Sequence, residues 1–204
     1  MYARIHTTHQ MPDRPEHHRP ADAIAALPGF AGSYDLRQTD GTGRRVISMW
    51  TTEEEARASA DHTPERLGPP SVDPATDLIY QVRDDLAGVA AADAPTHATM
   101  RFWSGPMSEQ EAARGAQLRR ERFAPAVLAV DGVVRMIAFF QPDTREPCLL
   151  TLTTSAESSE AAGTVGRAIP LNAEEKIRFT PVRTEYFTVG AGIVAPTGLA
   201  EQRG

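Results

Sequence analysis

The chain has 204 residues, 41% of them hydrophobic and 24% charged, and carries a net charge of −6 at pH 7. That length holds one large domain or two of about 100 residues, with core enough that neither disulfides nor a structural metal are needed. The lone Cys148 excludes an intramolecular disulfide, an acidic pI near 5.5 argues against nucleic acid, and no apolar run approaches a membrane span. The N-terminus lacks the basic-then-apolar grading of a signal peptide, so the expected location is cytoplasmic.

The first predicted strand covers residues 2–8, where Ala3 and Ile5 alternate with Arg4 and His6. Pro12, Pro15 and Pro20 cut down the segment that follows, leaving a short helix over residues 21–26. Gly29 stands where that helix must stop and turn into a strand running to Gln38. A polar turn follows, with Gly41 and Gly43 marking a hairpin, then a strand over residues 45–50. Thr52 and Glu55 have the spacing of a capping box that opens the next helix. A proline-rich loop over residues 64–74 delays the last strand of this half, residues 76–82.

The second half repeats the order of elements. Its first strand, residues 99–104, puts Arg101 where the first half has Arg4 and Trp103 where it has His6. Ser108 and Glu111 form a capping box for a helix that runs to about Phe123, with Pro125 near its end. Gly132 answers to Gly29 and Gln141 to Gln38. A strand over residues 147–152, a helix capped through Thr154 and Glu157, and a last strand over 184–189 complete the unit. Each half therefore reads β-α-β-β-α-β, the ferredoxin-like arrangement. The expected boundaries are residues 1–88 for the first unit, 89–96 for a linker, 97–195 for the second unit and 196–204 for a mobile tail. On the first strand of each half, Ala3 and Ile5, or Met100 and Phe102, suit packing beneath helices. Arg4 and His6, or Arg101 and Trp103, would then face a sheet-to-sheet interface, a cavity or solvent.

Pro28, Gly29 and Phe30, together with Trp50 followed by Thr52, Glu53, Glu54, Glu55 and Ala56, resemble the antibiotic biosynthesis monooxygenase-like domains of the dimeric α+β barrel superfamily. The resemblance is good over residues 1–85 and weaker over 98–195, where Asp131, Gly132 and Val133 replace the Pro-Gly-Phe turn and Leu152 or Thr153 replaces the tryptophan. It implies an α+β fold in which the two ferredoxin-like units pack sheet to sheet as an intramolecular dimeric α+β barrel. The family's cofactor-free oxygenases convert anthrone-like polyketides to quinones with an Asn four residues before the strand-three Trp and a Tyr six residues after it. Those positions hold Val46 and Ala56 here, and Trp50 alone matches. Haem-degrading relatives need a second Trp and an axial His where this chain has Ser59 and Gly68, and no histidine follows His97, so haem is disfavoured.

His9, His17 and His18 lie among prolines with no ligand spacing and read as solvated loop, so no metal is expected. Cys148 reads as a buried small hydrophobe, and Arg119, Arg120 and Arg122 as a solvated helix face. His6 is the candidate general base, with Arg4 or Arg101 as partner for an enolate or phenolate oxygen. Trp50 and Trp103 are candidate stacking walls, and Tyr34 and Tyr80 candidate pocket polarity. Each also has a purely structural reading, as a side chain satisfied within the sheet. The function expected is cofactor-independent monooxygenation of a small aromatic or polyketide-like substrate. The alternatives are a non-catalytic ligand-binding or assembly module of the same fold, and a flavin-assisted oxygenase. The expected partner is a small aromatic molecule, not nucleic acid or membrane, and a homodimer of the whole chain is a further option.

Overall fold

Alternation along residues 2–9 produces β1 (Tyr2–His9), and a computed structural model of the chain describes residues 1–9, 24–41, 43–62 and 77–190. The described residues divide into two units, one holding residues 1–81 and Gly190, the other residues 82–189. The architecture is α+β.

In the first unit β1 is followed by β2 (Phe30–Gln38), β3 (Gly43–Trp50), the short helix α1 (Glu53–Ala58) with a 3-10 turn over Ser59–His62, and β4 (Asp77–Ala87), whose first five residues belong here. The sheet order is β4-β1-β3-β2, antiparallel throughout, as a ferredoxin-like unit requires. Gly29 adopts φ +74, which a side chain would strain, and its carbonyl accepts from the Thr51 N–H at 2.9 Å. That bond ties the turn before β2 to the end of β3. Thr52 then caps α1 as expected: its hydroxyl accepts from the Glu55 N–H, and Glu55 accepts from the Thr52 N–H. The helix expected over residues 21–26 falls largely outside the described residues, as do the 64–74 loop, His17, His18 and the tail.

The second unit contains β5 (His97–Phe102), a long helical segment, β6 (Val133–Gln141), β7 (Glu146–Thr153), α4 (Ala156–Ala168), α5 (Ala173–Phe179) and β8 (Arg183–Val189). Its sheet order, β8-β5-β7-β6, repeats that of the first unit. Gly132 mirrors Gly29, at φ +79 and with its carbonyl accepting from the Thr154 N–H at 2.9 Å. Because Thr154 is used there, the cap of α4 is Ser155 and not Thr154; its hydroxyl accepts from the Ser158 N–H.

The long helical segment extends beyond its expected end. It runs as α2 (Glu109–Leu118), one π-turn (Arg119–Phe123) and α3 (Ala124–Leu128). The Ala124 N–H reaches back to the Arg119 carbonyl across the wide turn. Pro125 enters immediately after it, so a residue with no N–H to give is accommodated without ending the helix. The arginine run is a solvated face only in part: Arg120 is exposed, whereas Arg119 is mostly buried. Arg119 and Arg120 both bind Asp84, whose side chain is 7% exposed, and Arg122 binds Glu175. Ala124, Val127, Val133, Met136 and Ala162 form the core between this helix, the sheet and α4. Cys148 is buried on β7, opposite Phe102 and Phe139.

Among the described residues, no helix is long and apolar enough to cross a membrane.

Candidate functional site

The strand ladders sort the candidate residues by face. In the first unit Tyr2, Arg4 and His6 stand opposite Trp50, Ser48 and Val46 on β3, and Arg4 and His6 stand opposite Ile79 and Asp77 on β4. Cross-strand partners share a face, so His6, Arg4 and Trp50 are brought together. Tyr34 and Tyr80 are not among them. They align with Ile47 and Ala3 on the opposite face and are buried there with Ile5, Leu36 and Met49.

The helices cover the face carrying the polar residues, the reverse of the expected arrangement. Arg4 donates from Nη1 to Ser59 Oγ at 3.2 Å, and Ser59 Oγ donates to the Ala56 carbonyl of α1 at 2.7 Å. The reason is packing: both faces of β1 are buried, and the arginine is long enough to reach the end of α1 with its charge compensated. That compensation comes from Asp77, which accepts from Arg4 Nε at 2.8 and 3.0 Å and also from Nη2. Arg4 is therefore committed to a forked ion pair.

Trp50 is 1% exposed, its Nε1 donates to Ser48 Oγ at 2.9 Å, and its ring meets Phe30 edge-on with centroids 5.4 Å apart. Its polar atom is satisfied and its ring enclosed, as for a core residue at a strand–helix junction.

His6 is different. Both ring nitrogens are buried, and neither has a hydrogen-bond partner among the described residues. Burial lowers its pKa below the usual 6.5; Asp77 opposes that shift, while Arg4 and Arg44 add to it. The ring is thus neutral at pH 7, with one nitrogen free to accept a proton.

In the second unit Thr99 and Arg101 share a face of β5. Thr99 lies opposite Thr151 on β7 and Tyr186 on β8, and Arg101 opposite Leu149 and Thr184. A Cβ placed on Gly163 of α4 would stand 3.1 Å from Arg101 Nη2 and 3.2 Å from Arg167 Nη1, so the guanidinium lies against the helix. Burial pulls the Arg101 pKa down; Tyr186 counters this and Arg167 reinforces it. Trp103 follows β5 and donates from Nε1 to the Phe179 carbonyl at 2.7 Å, pinning the end of α5.

Sequence reasoning singled out neither Thr99 nor Thr151. Their hydroxyls are buried without a partner among the described residues, a property that strand threonines do not announce in sequence. Among the described residues, no group of three or more His, Cys, Asp or Glu side chains is placed to hold a metal ion. A shallow crevice of about 190 Å³ between α2 and α5 is lined by residues including Gln110, Arg114 and Phe179. Its charges are spent in the pairs Arg114–Glu174 and Arg178–Glu111.

No family model and no curated protein matches the chain. Solved structures do. A "putative monooxygenase" from Fusobacterium nucleatum superposes with a TM-score of 0.66 at 10% identity, over 97% of this chain and 95% of that one. An anthrone oxidase-like protein gives 0.54 at 13% identity over 98% and 95%. A ferredoxin fold protein from Listeria monocytogenes, described as related to antibiotic biosynthesis monooxygenases, gives 0.50 at 6% over 93% and 95%. The chain thus shares the ferredoxin-like α+β fold of these structures. At these identities the likeness is one of fold alone.

Proposed function

We propose that the chain is a monooxygenase-like oxidoreductase that oxidises a small aromatic or polyketide-like substrate with molecular oxygen, and that His6 is the base. The observation that carries this reading is the pair of buried, unpartnered nitrogens on a histidine held neutral at pH 7. Its position adds weight. His6 lies directly across the ladder from Val46, where the resemblance expects an asparagine, so the polar group missing from β3 is supplied from β1.

The chemistry asks little more of the protein. A methylene between aromatic rings loses a proton to His6, leaving a resonance-stabilised carbanion that delivers electrons to oxygen. One oxygen atom becomes the new carbonyl oxygen and the other leaves as water: CH2 and O2 give C=O and H2O. The substrate supplies the electrons, so no resident cofactor is required. Arg4 is a positioning residue, since its donors are committed to Asp77 and Ser59 beside the histidine. Trp50 is the buried floor of this face.

Oxygen uptake with hydroxylated anthrones tests the proposal. The expected result is turnover that His6→Ala lowers by about 100-fold or more, the usual contribution of a general base. An unchanged rate in His6→Ala removes the base and the reading with it. The competing reading, a module that binds without turnover, draws support from the second unit, where a cation and two hydroxyls gather without a base.

A further inference from the structure

We propose that the helix-covered face of the second unit's sheet is a binding site for a small organic carboxylate, held by Arg101 and the hydroxyls of Thr99 and Thr151. Arg101 makes no ion pair or hydrogen bond among the described residues, although it is substantially buried. A second guanidinium, that of Arg167, approaches the same glycine and donates to the Thr164 hydroxyl. Elsewhere in this unit buried arginines are matched: Arg119 by Asp84 and Arg135 by Asp85. A partly buried cation left without an anion costs free energy that a bound anion would relieve.

Thr99 and Thr151 are each 1% exposed, and neither hydroxyl has a partner among the described residues. They stand side by side across the β5–β7 ladder, one pleat from Arg101 along β5. An unmade hydrogen bond at a buried hydroxyl is a standing cost, and two on one face beside an unpaired arginine make a set of donors. Each hydroxyl has one O–H to give, and the guanidinium presents a planar fork that fits a carboxylate.

The class of ligand follows from the surroundings. One buried guanidinium balances one negative charge, which favours a monoanion. Leu149 opposite Arg101, with Met136 and Val165 in the neighbouring cluster, supplies an apolar flank, so the carboxylate should be carried on an aromatic or aliphatic body. Tyr186 is cross-strand from Thr99, 50% exposed and close enough to act electrostatically on Arg101, which places a phenol at the rim. Glycine at position 163 leaves room for the guanidinium head that any side chain would crowd. This site stands on the second unit alone and does not depend on the reaction proposed for His6.

Calorimetric titration of the full chain with benzoate, benzamide and inorganic phosphate tests the assignment, with no oxidisable substrate present. Benzoate should bind saturably, its neutral isostere benzamide at least about tenfold more weakly, and phosphate more weakly than benzoate. Arg101→Gln should lose about tenfold or more in benzoate affinity. The double variant Thr99→Val with Thr151→Val serves as the control for folding. It removes two unsatisfied hydroxyls, so its melting temperature should hold or rise while benzoate affinity falls several-fold. His6→Ala should bind benzoate like the parent, which separates this test from that of the oxidation. Equal binding of benzoate and benzamide, tighter binding of phosphate, no saturable benzoate binding, or undiminished affinity in the double valine variant would each overturn the proposal.

Discussion

At the scale of single residues, Asp77 links stability to chemistry. It holds the Arg4 fork, whose side chain is 8% exposed against 25% for Asp77, and it is the group that opposes the lowered His6 pKa. Asp77→Asn leaves a buried guanidinium without its anion, at a cost of about 2–4 kcal/mol, less than for a fully buried pair because water reaches Asp77. Thermal unfolding should show the melting temperature falling by about 5–15 °C. The same substitution removes the charge that favours protonated His6, so the acid limb of the oxidation rate, already below pH 6.5, should move lower still. The stability profile follows the same sign. Because the folded-state pKa of His6 is depressed, the unfolded chain binds the extra proton first, and stability falls as pH drops from about 6.5 toward the lowered value. His6→Ala should flatten that part of the curve in acid denaturation, and an unaltered slope would mean that the ring is not desolvated.

Among the elements, the helix starts matter more than their length suggests. Glu55, Glu111 and Glu175 each close a capping box, and each has a pKa below 4.5. For Glu111 the largest cause is the bond from the Ser108 N–H, followed by that from its hydroxyl. Ser108→Ala should cost about 1 kcal/mol, or roughly 2–4 °C in melting temperature near pH 7. The difference should shrink as pH falls through and below 4.5, where Glu111 protonates and the box opens; a constant difference down to pH 3 would show that the carboxylate takes no part. These caps are also why the elements were legible in the sequence. Thr52, Ser108 and the glycines at 29 and 132 announce where helices begin and turns occur. Thr154 misled by one residue because its N–H is drawn to Gly132, and the end of α3 was hidden because a π-turn lets Pro125 pass.

For the whole molecule, period-two alternation fixes which residues share a face but not which face the helices cover. Ala3 and Arg4 are both buried, so burial does not separate the two faces of β1, and only the length of the arginine side chain and its reach to Ser59 settle the matter. Hence the strand pattern was readable, and which of its faces lies under the helices was not. His6 could be named in advance because histidine chemistry is visible in the sequence. Thr99 and Thr151 could not, since an unsatisfied hydroxyl exists only once the chain has closed around it. One buried side chain offers a way to watch that closure. Cys148 is the chain's single cysteine and is 2% exposed, so a thiol reagent reaches it only when β7 parts from its neighbours. Labelling should run about three orders of magnitude or more slower than for a free thiol, and its rate becomes a clock for transient opening of the native state. Benzoate bound beside Thr151, on the same strand, should slow that clock in proportion to its occupancy, turning the lone sulfur into a spectroscopic reporter of a ligand it never touches.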